Sequence, residues 1–179
     1  FIEKDNLKGM IIFTILTLLI KEDAPVYAAC IGLFVIVGKK KYRNGVVIFV
    51  TSVVYFLVVT YFMGKYGLGI MDSRFTNYMA DASKGGLIDV IRNFITNPAY
   101  VVEECFKPEK LSFMFYMIFP LGFLPLASKK VSGLILFIPV ILENLASNYK
   151  YQYSINYQYV FGTVAILTYL AIVNYSELT

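Results

Sequence analysis

The sequence predicts an all-α, polytopic transmembrane helix bundle of about five to six membrane segments, with a long outer loop that carries short amphipathic interfacial helices. Three observations lead there. Hydrophobic residues make up 58% of the 179 and charged residues only 16%, whereas soluble domains give about a quarter of their residues to charge. The mean hydropathy of +0.66 belongs to blocks of roughly 12 to 19 apolar residues, near the ~20 that a helix needs to cross a bilayer. Lys and Arg gather in short connectors, a pattern of membrane topology rather than of nucleic-acid binding. The blocks show no sustained alternation, which argues against a barrel, and a lipid-spanning chain that is not a barrel bonds its backbone within helices.

In chain order the apolar segments fall at 7–20, 24–38, 45–63, 111–127, 131–146 and 157–173. Lys21-Glu22-Asp23 and Ala24-Pro25 separate the first two. These two read either as short spans joined by a tight outer turn or as one long helix broken within the membrane. The segment 45–63 is the clearest span. Before it, the connector 38–45 holds Lys39, Lys40, Lys41 and Arg43 and no acid; Ser128-Lys129-Lys130 forms a second basic connector. Both are assigned to the cytoplasm by the positive-inside pattern. An even number of crossings must separate them, and 45–63 and 111–127 supply two. The stretches 64–111 and 148–157 are then extracytoplasmic.

The loop 64–111 balances Asp72, Asp81, Asp89, Glu103, Glu104 and Glu109 against Lys65, Arg74, Lys84, Arg92, Lys107 and Lys110. Within it Leu87, Ile88, Ile91, Phe94 and Ile95 fall at helical spacing, and Asn97-Pro98 marks a stop and a restart before Val101, Val102, Cys105 and Phe106. Two short amphipathic helices on the outer membrane surface are expected. The chain reads as one membrane domain, 1–179, with this loop inside it. Its opening, Phe1-Ile2-Glu3-Lys4-Asp5, has neither an initiator Met nor the basic start of a signal peptide, so the C-terminal part of a longer protein is expected.

Composition narrows the chemistry. No histidine is present, which removes His-based acid–base catalysis, His-dependent triads and most zinc sites from this stretch. Cys30 in an apolar block and Cys105 in the loop are too few and too differently placed for a disulfide framework. Carboxylates, Lys, Arg, Tyr and Asn remain.

Lys21, Glu22 and Asp23 are the strongest candidates, because three ionisable residues beside apolar segments are costly unless paired, hydrated or used. The plain alternative is an interfacial turn in which Asp23 caps the helix that Pro25 helps to begin. Glu143 is the other acid beside an apolar block, with Lys21 or Lys150 as partners that would satisfy it. The run 149–159 sets five tyrosines among Lys150, Gln152, Asn156 and Gln158. Such a belt ordinarily anchors a protein at the membrane interface; Tyr151, Tyr153 and Tyr157 with Gln152, Gln158 and Lys150 also suit a sugar or polyprenyl-phosphate ligand. Gly64 to Gly69 lacks a phosphate-loop pattern, and Asn174-Tyr175-Ser176 matches the glycosylation-acceptor pattern but is expected on the cytoplasmic side. Asp72, Arg74 and Asp81 are expected to be solvated loop charges unless a site gathers them. No fixed-period repeat appears.

Several stretches together resemble a prokaryotic membrane family known as domain of unknown function 2079. They are Leu19-Ile20-Lys21-Glu22-Asp23-Ala24, Lys107-Pro108-Glu109-Lys110-Leu111, Phe119-Pro120-Leu121-Gly122-Phe123-Leu124-Pro125-Leu126, and Glu143-Asn144-Leu145-Ala146-Ser147 leading to Tyr151-Gln152-Tyr153 and Tyr157-Gln158-Tyr159. That family is similar to the GT-C class of membrane glycosyltransferases, which use lipid-phosphate-linked sugars at the outer face. The resemblance implies a carboxylate, often with a divalent metal, that activates the acceptor hydroxyl while basic groups stabilise the leaving lipid phosphate. Lys21 would be the phosphate-side cation, with Glu22, Asp23 and Glu143 as candidate acids. GT-C enzymes carry their key acid after the first span, so the metal ligands and the base are expected mainly in a preceding half. Expected partners are the lipid bilayer and a polyprenyl-phosphate-linked sugar, and no nucleic acid. The alternative is a non-enzymatic membrane protein, a transporter or an assembly subunit for envelope polysaccharide, with polar groups along a mid-membrane path rather than at one face.

Overall fold

The computed structural model describes residues 2, 4, 6–67, 72–80 and 86–178. Asp81, Lys84 and Gly69 lie outside them, as does the Asp72 side chain. The described residues are helical, with no strand. The chain forms two compact units, one of residues 1–68 with 128–139 and one of 69–127 with 140–179.

In the first unit, Asn6 caps α1 (Leu7–Leu18) by accepting from the Gly9 N–H (3.0 Å), and Pro25 sits in the first turn of α2 (Ala24–Val37). A four-residue connector leads to α3 (Tyr42–Lys65). These two helices run antiparallel at close range because glycine faces glycine. A Cβ on Gly32 would lie 2.7 Å from the Phe49 nitrogen, and one on Gly45 would lie 2.7 Å from the Gly32 oxygen. Helix α1 packs against both α2 and α3. Lys41 Nζ reaches the Ile2 carbonyl (3.5 Å), which places the start of α1 beside the end of α2. Of the two sequence readings of 7–38, the structure shows a helical hairpin, with the charged triplet at its turn. The 3₁₀ helix Val131–Phe137 packs against α2.

The second unit begins with the 3₁₀ stretch Asp72–Tyr78, followed by α4 (Leu87–Thr96) and α5 (Pro98–Cys105). Both helices fall where apolar spacing and Asn97-Pro98 put them. Val90 and Phe94 turn into a core with Phe75, Tyr78, Cys105 and Ala146, while Ile88, Ile91 and Ile95 are exposed on α4. Helix α6 (Pro108–Ile118) comes next.

The apolar segment 111–127 is not one continuous helix. It breaks after α6 into the 3₁₀ turns Phe119–Leu121 and Leu124–Leu126, with Gly122 and Phe123 left-handed between them (φ 59 and 58). Pro120 and Pro125 remove the N–H groups that a continuing helix would need. The side chain of Asn174 donates to the carbonyls of Leu124 (2.8 Å) and Pro125 (3.2 Å) in the second of these turns. The segment 131–146 likewise passes from the 3₁₀ helix through α7 (Ile138–Val140) into a π-helical turn, Ile141–Leu145. The chain ends in α8 (Phe161–Leu178). Among the described residues, α3 and the helical stretch Gln158–Leu178 are the two long and apolar enough to cross a membrane, and α1, α2 and Val131–Leu145 are shorter apolar helices.

Candidate functional site

In the first unit the turn between α1 and α2 holds Lys21, Glu22 and Asp23. The Lys21 ammonium pairs with the Asp23 carboxylate. Asp23 stands at the N-cap position of α2 but makes no side-chain cap bond; its buried carboxylate turns to Lys21. The turn is closed by backbone bonds, Ala24 N–H to Lys21 O (3.1 Å) and Val26 N–H to Asp23 O (3.0 Å). The capping reading therefore has the right position and the wrong partner, because an ammonium two residues away competes for the carboxylate and forms the stronger, charge-assisted bond.

In the second unit the tyrosine run folds as two 3₁₀ turns, Lys150–Tyr153 and Gln158–Val160. Its rings meet edge to face, Tyr149 with Tyr151 (5.0 Å between centroids) and Tyr159 (5.7 Å), and Tyr151 with Tyr157 (4.4 Å). The Lys150 ammonium lies 5.3 Å from the Tyr151 ring centroid. Lys150, Tyr157 and Gln158 are exposed, Tyr151 and Tyr153 half-buried, and Gln152 buried.

Beneath this platform lie cations that the sequence had left as loop charges. Arg74 is 2% exposed, not solvated. Its guanidinium lies 5.3 Å from the Tyr159 ring centroid, an attraction that grows as water is excluded. The Arg74 carbonyl accepts from the Asn148 N–H (2.9 Å) and Ser147 Oγ (3.0 Å), and Tyr78 donates its hydroxyl proton to the Ala146 carbonyl (3.0 Å). These bonds fasten 74–78 to 146–148. With its amide oriented to suit its neighbours, Gln152 donates to the Glu143 carbonyl (2.9 Å) and accepts from Arg74 Nη1 (3.3 Å). Asn144 donates to the Gln152 carbonyl and accepts from Thr163 Oγ1. Glu143 is buried within the π-helical turn, where its backbone is tied to the platform through Gln152.

A second cation is more deeply placed. Lys110 is 1% exposed, with its ammonium 3.5 Å from Glu104 Oε2 and 5.3 Å from the Tyr153 ring centroid. Lys107 pairs with the other oxygen of Glu104. Burial works against the Glu104 carboxylate, but the hydrogen bond from Lys107 and the charge of Lys110 outweigh it and hold its pKa below the ordinary value. Burial pushes the Lys110 pKa down and the Tyr153 pKa up. The hydrogen bond to Glu104 raises that of Lys107.

Sequence reasoning missed Glu104, Lys107 and Lys110 as a cluster. Lys107-Pro108-Glu109-Lys110 carried the resemblance without being read as a site, although the i,i+3 spacing of Glu104 and Lys107 across the α5–α6 junction was a usable signal. The candidates Glu143, Lys150, Tyr151, Gln152, Tyr153, Tyr157 and Gln158 share the second unit; Lys21, Glu22 and Asp23 belong to the first. Among the described residues no three Asp, Glu or Cys side chains gather to hold a metal. The arrangement suits an anionic ligand with a polar ring: exposed aromatic edges, amides and one ammonium, over buried positive charge.

Among sequence families, the one described as Predicted membrane protein (DUF2079) matches residues 1–179. No curated protein and no solved structure matches the chain.

Proposed function

The chain belongs to the DUF2079 family of predicted membrane proteins, and from that premise we propose that it is part of a GT-C-like integral membrane glycosyltransferase using a sugar on a lipid-phosphate donor at the outer face. The observation that carries this reading is the tyrosine platform over buried Arg74 and Lys110. The exposed Lys150, Tyr157 and Gln158, with the half-buried Tyr151, would meet the phosphate and sugar. The cations below would set a positive field for the leaving lipid phosphate. In the transfer, an acceptor hydroxyl oxygen bonds to the anomeric carbon, the bond from that carbon to the phosphate oxygen breaks, and the hydroxyl proton passes to a carboxylate. Glu143 is favoured for that carboxylate because it shares the platform's unit, ahead of Glu22 and Asp23.

The proposed topology has five to six crossings. It keeps 38–45 and 128–130 in the cytoplasm and 64–111 and 148–157 outside. The exposed isoleucines of α4, Ile88, Ile91 and Ile95, support its lying on the membrane surface.

The test uses the intact protein that carries this chain, in nanodiscs, with a polyprenyl-phosphate-linked sugar and radiolabelled acceptor. Binding and release of lipid phosphate are expected for the wild type, with binding weakened about tenfold or more in Lys150→Ala/Gln158→Ala. Binding without release under any acceptor would favour the non-enzymatic reading, and no binding would remove the platform as a lipid-phosphate site.

A further inference from the structure

The two basic connectors, far apart in sequence, come together at one end of the first unit. The 3₁₀ helix Val131–Phe137 packs against α2, and a Cβ on Gly38 would lie 3.0 Å from Ser132 Oγ. Lys129 and Lys130 therefore enter beside the end of α2, where Lys39, Lys40, Lys41 and Arg43 leave it. Lys40, Arg43, Lys129 and Lys130 are exposed. Lys39 rests its ammonium 5.7 Å from the Phe34 ring centroid, and Lys41 reaches the Ile2 carbonyl. Neither connector contains an acid; in residues 1–8, Glu3 and Asp5 are matched by Lys4 and Lys8. Directly along α3 from this cluster, Val46, Val47 and Val50 present an exposed apolar face.

We propose that these six cations form a surface for the anionic phospholipid head groups of the cytoplasmic leaflet, with the acyl chains lying along the valine face of α3. Clusters of four to eight Lys or Arg immediately beside a membrane helix attract acidic lipid head groups. The exposed ammonium and guanidinium groups recruit the phosphate, while the adjoining valines distinguish a lipid from a soluble anion. This surface rests on the proposed placement of both connectors in the cytoplasm and not on the transferase reading.

The experiment places the intact protein in nanodiscs of equal phosphatidylcholine and phosphatidylglycerol and counts the lipids retained on extraction by native mass spectrometry. Both leaflets carry the same mixture, so orientation does not enter. Phosphatidylglycerol is expected to be enriched about fivefold or more, with near parity in Lys40→Gln/Arg43→Gln/Lys129→Gln/Lys130→Gln and full enrichment in Lys40→Arg/Lys129→Arg/Lys130→Arg. Lys129→Gln/Lys130→Gln, which leaves the α2–α3 connector intact, should fall between them and decides the matter if the fourfold variant does not fold. Inorganic phosphate should not displace the retained lipid. Parity in the wild type, enrichment unchanged by the Gln variants, or displacement by inorganic phosphate each overturns the proposal.

Discussion

The guanidinium of Arg74 lies 5.3 Å from the centroid of the Tyr159 ring, so the 3₁₀ stretch before α4 and the 3₁₀ turn before α8 are joined by a buried cation. The forked guanidinium reaches the Tyr159 ring and the Gln152 amide oxygen (3.3 Å) at once, which the single ammonium of lysine matches less well. Arg74→Lys is expected to lose about 1–2 kcal/mol through the lost stacking, and Arg74→Ala about 3 kcal/mol, since it also empties a buried site. Thermal unfolding of the intact protein in detergent measures both; equal stability of the three proteins would show that the ring contact contributes nothing.

Glu104 holds two lysines, one of them almost wholly buried. Glu104→Gln leaves the Lys110 charge uncompensated and is expected to cost about 3–5 kcal/mol at neutral pH. Because its folded pKa is lowered, Glu104 binds fewer protons folded than unfolded. Its contribution is complete above the ordinary carboxylate range and is lost as pH falls through the lowered folded value. Stability curves of wild type and Glu104→Gln should therefore converge in acid. A constant gap from neutral pH into acid would mean that the charge on Glu104 is not what stabilises the cluster.

Gly45 packs with its α-carbon against α2. A Cβ there would come within 2.7 Å of the Gly32 oxygen and 2.5 Å of Ile36 Cγ1, one of which is backbone and cannot rotate away. Gly45→Ala should force α2 and α3 apart at a cost of about 1–3 kcal/mol, whereas Gly64→Ala, with open space around it, should be neutral or slightly stabilising by helix propensity. Resistance to unfolding in detergent separates the two variants.

Lys21 and Asp23 satisfy each other at the α1–α2 turn. On the alternative in which the triplet, not Glu143, supplies the acid and a phosphate-side cation, Lys21→Ala and Asp23→Ala in the intact protein would abolish lipid-linked sugar transfer while the protein still elutes folded. Wild-type transfer in both would leave the triplet as a structural turn.

Membrane character was legible before any coordinates, because it depends on composition and on the local rule that a backbone in lipid must bond to itself. So were α4 and α5, since apolar spacing and Asn97-Pro98 are local signals. The break in 111–127 was half legible. Pro120, Gly122 and Pro125 announced it, but a uniformly apolar run hid its consequence, and the side chain that binds the Leu124 and Pro125 carbonyls, Asn174, comes from a distant helix.

Which charges are buried was not legible at all. Arg74, Glu104 and Lys110 look like the other loop charges in sequence; Arg74 and Lys110 meet Tyr159 and Tyr153 across long stretches of chain, and Glu104 is held by the nearer Lys107 and Lys110. A residue's own chemistry determines the cost of burying it. Only the tertiary structure decides whether non-local partners are in place to offset that cost.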